Sequence, residues 1–369
     1  MPRRGPPTVV AVAAAAAAVL AACSSAVPPH PAATASGGTH GSGTPVPTAS
    51  APGGSGPPAP GGSGPPATGT SPASTPGGTT SSSGAGGVPA FSHVFVVVME
   101  NLSYDAAMAT PGFASLAHRY AAATAYYAAS HPSLPNYLAL AAGSTFGIAS
   151  DCLSCFVTGD NLGAELGRAG ISWNAYFEGV SASCYLGTSY GVYAAKHNPF
   201  RYFTDVRSSQ ALCSHLVPLA QLGPALAGPA SGVPRFVWVT PNVCNDGHSC
   251  PASQAAAWLD GLVAEVTASQ AWRQDGVLFV TWDEGAGGDS RQATPRGSVL
   301  PTGGGGHVLT LVVAPGVPPG TVVTTPLSHY ALLATVEDAL GVPLLGQAAA
   351  WSRRTLAGFF AAPPTGSPL

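Results

Sequence analysis

Four short apolar runs punctuate the chain, and each is bounded by polar residues. His93-Val-Phe-Val-Val-Val-Met99 ends in Glu100-Asn101, Phe236-Val-Trp-Val-Thr240 in Pro241-Asn242, and Val277-Leu-Phe-Val-Thr-Trp282 in Asp283-Glu284. The fourth, Leu309-Thr-Leu-Val-Val-Ala314, follows four glycines and His307. The runs are continuously apolar rather than alternating, which suits strands buried on both faces, as in a parallel sheet. Between them, the pattern predicts helices over Phe113–Ala123, Leu134–Ala142, Leu162–Ala169, Ser253–Ser269 and His329–Leu340. Alternating strand and helix predict an α/β fold, a three-layer α/β/α sandwich with a mostly parallel central sheet.

Composition divides the chain. Of 369 residues only 13 are Lys or Arg and 16 Asp or Glu, while 47 Gly and 37 Pro exceed what one uniform globular domain carries. The excess is local: Ser24–Val88 has no charged residue and repeats a Gly-Gly-Ser-Gly-Pro-Pro-Ala unit. Such a segment buries no apolar face to offset its ordering entropy, so residues 23–88 are expected to form a disordered tether. Ahead of it, Arg3, Arg4, the apolar run Val9–Ala22 and Leu20-Ala-Ala-Cys23 read as a lipoprotein signal peptide over 1–22. Cys23 is then expected to carry lipid, placing an exported protein on the outer face of a bacterial cell membrane. Residues 89–369 form one domain with room for a sizeable core. That domain holds all 16 acidic groups and a single lysine, Lys196, which excludes the basic footprint of a nucleic-acid binder. Its six cysteines (Cys152, Cys155, Cys184, Cys213, Cys244 and Cys250) predict three disulfides. Many connectivities are open, and nearest-neighbour pairing is the expectation.

In parallel sheets ligands bind beyond the carboxyl ends of the strands. Glu100, Asn101, Asn242, Asp246, His248, Asp283 and Glu284 all fall there. Converging carboxylates repel one another unless a positive charge sits between them, and a divalent cation is the usual solution. Carboxylate, amide and imidazole donors suit Mg, Mn, Ca or Zn. Ser133, in Ser130-His-Pro-Ser-Leu-Pro-Asn-Tyr137, opens the predicted helix Leu134–Ala142. Backbone amides and the helix dipole favour an anion at that position. Beside acidic strand ends, Ser133 is expected to be a metal-activated nucleophile.

His93–Asn101, His131–Leu140, Pro241–His248, Thr281–Glu284 and Ser328–Tyr330, taken in order, resemble the bacterial phosphoesterase family. That family holds secreted acid phosphatases and phospholipases C and belongs to the alkaline phosphatase superfamily. The resemblance spans about Phe91 to Gly346 and implies an alkaline-phosphatase-like sandwich. It implies hydrolysis of phosphate monoesters, phosphatidylinositol 3-phosphate among them, through a phosphoserine on Ser133. It makes Glu100, Asn101, Asp283 and Glu284 the metal shell, and Asn242, Asp246, His248 and His307 the lining for substrate or a second metal. Two-metal relatives carry an aspartate where this chain has Asn242, which argues for a weaker second metal or none. His131, His197 or His248 would protonate the leaving alcohol.

The first motif, Glu100-Asn-Leu-Ser-Tyr-Asp-Ala106, lacks the Arg and the final His usual in phospholipases C, so the monoesterase is preferred to the diesterase. Gly187-Thr-Ser-Tyr-Gly191 matches the nucleophile elbow of esterases, but no apolar strand precedes it. A tethered solute-binding lipoprotein is the non-enzymatic alternative. It should show two similar lobes, and the sequence has no internal duplication.

Overall fold

The computed structural model describes residues 87–361. The expected signal peptide, Cys23 and the linker up to residue 86 lie outside the described residues. Val88, which composition assigns to the linker, is fully buried in the core.

The apolar runs form the centre of a nine-stranded sheet. Its strands are β1 (His93–Met99), β2 (Ala121–Tyr127), β3 (Trp173–Phe177), β4 (Leu216–Pro218) and β5 (Phe236–Thr240). β6 (Gly276–Trp282), β7 (His307–Val313), β8 (Val322–Val323) and β9 (Leu327–Ser328) follow. The spatial order is β8-β2-β7-β6-β1-β5-β3-β4, with β9 also pairing β2. Pairing is parallel throughout except at β7, which runs antiparallel between β2 and β6. Every residue of β1 and β6 is buried, which is why neither sequence alternates.

The longer helices fall into two packed groups. One holds α2 (Ser133–Ala142), α3 (Leu162–Arg168) and α5 (His329–Leu340); the other holds α1 (Pro111–Arg119) and α4 (Ala252–Ala268). The chain therefore has the α/β architecture and mostly parallel sheet that the sequence pattern predicts.

One predicted element is corrected. The helix expected over Phe113–Ala123 stops at Arg119, and Ala121–Tyr127 is strand β2. Alanine favours helix in isolation, but this segment pairs with β7 on one side and with β8 and β9 on the other. Tertiary pairing overrides propensity there, and the carboxyl end of β2 leads directly to Ser133. The short strands β3 and β4 also lack a sequence signal. The three disulfides follow nearest-neighbour pairing: Cys152–Cys155, Cys184–Cys213 and Cys244–Cys250, with Cα–Cα distances of 5.8, 4.8 and 4.6 Å. Among the described residues no helix is long and apolar enough to cross a membrane.

Candidate active site

Strands β1 and β6 run parallel with Met99 level with Trp282, so Glu100 and Asp283 leave the sheet side by side. Asn101 then takes a left-handed backbone conformation (φ 53°), uncommon for a residue with a side chain. That turn brings its backbone N–H within 2.9 Å of Asp283 Oδ1 and its Nδ2 within 3.2 Å of Glu100 Oε1. Backbone strain of this kind persists where surrounding contacts over-determine it, commonly at functional sites. From behind, His329 Nε2 donates to the Asp283 carbonyl at 2.6 Å, and its Nδ1 accepts from the Tyr126 hydroxyl at 3.1 Å. Burial lowers the His329 pKa to about 4, so this ring is neutral and fixes the β6 end.

Ser133 is fully buried at the start of α2. Its Oγ donates to Glu100 Oε1 at 2.7 Å and lies 3.4 Å from Glu284 Oε1. Lys196 Nζ donates to the same Oγ at 3.1 Å and to Asp151 Oδ2 at 3.0 Å. The other Asp151 oxygen accepts the Leu134 amide at 2.9 Å. His197, stacked on Tyr137 with ring centres 5.2 Å apart, stands 3.0 Å from Glu100 Oε1 and 3.2 Å from Asp246 Oδ2. Neither ring nitrogen is aligned for a hydrogen bond, so this pairing is electrostatic. Burial acts to raise Glu100, but the His197 cation and Lys196 outweigh it and hold the carboxyl well below its ordinary range. Burial acts to lower His197, and the charge of Glu100 reverses it, raising the imidazole to about 9.

The remaining sequence candidates are placed as follows. His131 Nδ1 pairs with Glu284 Oε2, and its Nε2 donates to the Asp289 carbonyl at 2.8 Å. The hydrogen bond from Glu284 raises the His131 pKa. Both ring nitrogens are thus engaged, and His131 orients Glu284. Asp246 joins the cluster through His197 and accepts the Glu100 amide on its own carbonyl at 3.1 Å.

Three of the candidates form no hydrogen bond with the Ser133 side chain. Asn242 Oδ1 accepts the Cys244 and Asn245 amides, so this side chain builds a turn. His248 is exposed, with Nδ1 3.0 Å from Ser249 Oγ and its ring 6.1 Å from that of His197. His307 is stacked between Tyr104 and Tyr127 at 4.4 and 5.0 Å and donates to the Thr124 carbonyl at 2.9 Å. The Gly187–Gly191 segment is a loop in which Ser189 Oγ accepts the Ala195 amide at 2.8 Å, and no strand leads into it. Sequence reasoning missed Lys196, Asp151 and His329 as parts of the site.

Among the described residues no group of three or more His, Cys, Asp or Glu side chains encloses a single ligand point. The carboxylates are instead arrayed around Ser133 and paired with cationic side chains. Asp283 Oδ2 is nevertheless buried without a hydrogen-bond partner. Such oxygens are costly unless a donor or cation meets them. For Asp283, burial and the neighbouring Glu100 charge push the carboxyl far above its ordinary value. The all-oxygen set of Glu100, Asp283, Glu284 and Ser133 Oγ fits a hard divalent cation.

The Phosphoesterase family model matches residues 106–343. A phosphatidylinositol-3-phosphatase from Mycobacterium tuberculosis is 35% identical over 270 residues, covering 72% of this chain and 82% of its own. A phosphate-repressible acid phosphatase from Penicillium chrysogenum is 27% identical over 267 residues, covering 70% of this chain, which spans 61% of that protein. This chain likewise spans only 57% of an Aspergillus fumigatus acid phosphatase. Among solved structures, an alkaline phosphatase superfamily protein from Vibrio parahaemolyticus superposes with a TM-score of 0.46 at 12% identity, covering 70% of this chain and 69% of its own.

Proposed function

The chain belongs to the phosphoesterase family, and from that premise we propose that it is a phosphoric monoester hydrolase with Ser133 as nucleophile. The observation that carries this reading is the environment of Ser133 Oγ, which gives its hydrogen bond to an ionised carboxylate and receives one from an ammonium group. Ser133 is the first residue of α2 and follows Pro132 at the N-cap, so these two partners, and not a cap, define its environment.

In the proposed reaction Ser133 Oγ attacks phosphorus in line. The bond from phosphorus to the ester oxygen breaks with its electron pair left on that oxygen. The oxygen takes up the proton lost by Ser133, relayed through water, and departs as the alcohol. Water then hydrolyses the phosphoserine to inorganic phosphate and free Ser133. The serine O–H is oriented by its hydrogen bond to Glu100 Oε1. His197, cationic at neutral pH, keeps Glu100 ionised. His131 and His329 hold the Glu284 side chain and the Asp283 backbone in place. Asn101 fixes the spacing of Glu100 and Asp283, and the family resemblance gives it a contact to the phosphate. A divalent cation held by Glu100, Asp283, Glu284 and Ser133 Oγ would, when bound, acidify the serine and neutralise phosphate charge. Fixed charges and positioning supply the remaining catalysis.

Phosphatidylinositol 3-phosphate is put forward as a natural substrate on the name of the mycobacterial relative. Export is supported by three disulfides in the domain, and anchoring through Cys23 remains the reading of the leader. Hydrolysis of p-nitrophenyl phosphate by the full exported chain tests the proposal. Turnover lost with EDTA and restored by a divalent cation is the expected result. Turnover unaffected by exhaustive chelation contradicts the cation assignment, and cleavage of the bis ester alone contradicts the monoesterase.

A further inference from the structure

Lys196 is the chain's single lysine and sits on the short turn Ala195–His197. Its ammonium is largely shielded, with 18% of the side chain exposed. Nζ meets three oxygens: Ser133 Oγ at 3.1 Å, Asp151 Oδ2 at 3.0 Å and Glu100 Oε1 at 3.5 Å. An ammonium has three donors and no acceptor, and one of the three oxygens it faces is the nucleophile. Asp151 holds it there, because its second oxygen is tied to the Leu134 amide in the first turn of α2. Lysine, loop and nucleophile helix are thereby fixed to one another through a single carboxylate, which is followed directly by the Cys152–Cys155 disulfide.

Resting on the phosphatase reading above, we propose that Lys196 binds the phosphoryl group and selects dianionic monoesters over monoanionic diesters. A monoester carries close to two negative charges near neutral pH, since its second ionisation falls at about pH 6, whereas a diester carries one. A cation fixed beside the attacking oxygen stabilises the doubly charged group more, through charge-assisted hydrogen bonds that strengthen as the Ser133 oxygen becomes an ester oxygen. Lysine suits this as a compact point charge with rotatable donors, which can stay on Asp151 while turning one N–H from Ser133 Oγ to a phosphate oxygen.

The test compares Lys196→Met with the wild-type full chain in one buffer, using p-nitrophenyl phosphate, its bis ester and inorganic phosphate. Expected is a fall of about 10²–10³-fold in kcat/KM for the monoester, the loss typical of one transition-state donor. The fall for the diester should be at least tenfold smaller, and calorimetry should show phosphate binding weakened at least tenfold. Equal losses on the two esters overturn the proposal, as does wild-type phosphate affinity in the variant. Asp151→Asn, which keeps the lysine but loosens its anchor, should shift the ester ratio the same way by a smaller factor. An unchanged ratio there, with Lys196→Met unfolded by circular dichroism, also counts against it. A wild-type protein that binds phosphate but cleaves neither ester would contradict the phosphatase reading instead, while the calorimetric comparison still decides the role of Lys196.

Discussion

Ser133 and the carboxylates around it show what single residues disclose. Glu100, Asp283 and Glu284 were legible because an acidic residue ending an apolar run has no packing reason to be there. Lys196 and Asp151 were not, since they lie on loops without periodicity and meet Ser133 only through the fold. One signal was available: a lone lysine in a 369-residue chain, immediately before His197, is unusual enough to mark. His131 is the instructive intermediate. The family resemblance makes it one of three candidate proton donors, and both of its nitrogens are engaged by Glu284 and the Asp289 carbonyl. Partners that orient a charged site residue typically cost 10–100-fold when removed, on the order seen for supports of metal ligands. His131→Gln should therefore lower kcat for p-nitrophenyl phosphate by about 10–100-fold with little change in KM and no loss of fold. A variant within threefold of wild type in kcat contradicts the orienting role.

At the scale of elements, β1 and α5 lie where the apolar pattern puts them, residue for residue. β2 did not, because its alanines carry no strand signal and its conformation is dictated by neighbours distant in sequence. α5 also carries a buried acid whose purpose is structural. Glu337 is fully buried; its Oε1 accepts the Leu345 amide at 3.0 Å, and Oε2 has no hydrogen-bond partner. Burial raises this carboxyl to about 9, aided by the charges of Glu165 and Asp338 and opposed by the Leu345 amide. The folded state thus keeps a proton that the unfolded state releases above its ordinary value of 4.5. Stability should therefore fall as pH rises from that value towards 9. Glu337→Gln retains the acceptor and removes the titration. It should stabilise the fold at pH 8 by on the order of 1–3 kcal/mol in urea unfolding, with little gain at about pH 4.5. An equal effect at both pH values contradicts the assignment.

For the whole molecule, composition separated a leader with two arginines and an uncharged linker from one acidic domain, and the fold class followed from strands that do not alternate. The nine-stranded sheet collects the ends of β1, β2, β5 and β6 on one edge, with the antiparallel β7 delivering His307 to the same edge. That convergence explains why motifs spread from Glu100 to Glu284 come together around Ser133. The sequence could not show which side chains bond one another: Asn242 and His307 hold backbone groups of their own surroundings, and His248 reaches Asp246 through its amide. Everything in the account turns on Ser133 as the attacking group. The most direct measurement is kcat/KM for p-nitrophenyl phosphate in Ser133→Ala against wild type, with circular dichroism verifying the fold. A loss of at least about 10⁴-fold in a folded variant is the predicted result, as expected when a covalent nucleophile is removed. A folded Ser133→Ala protein retaining activity within tenfold of wild type would contradict the account.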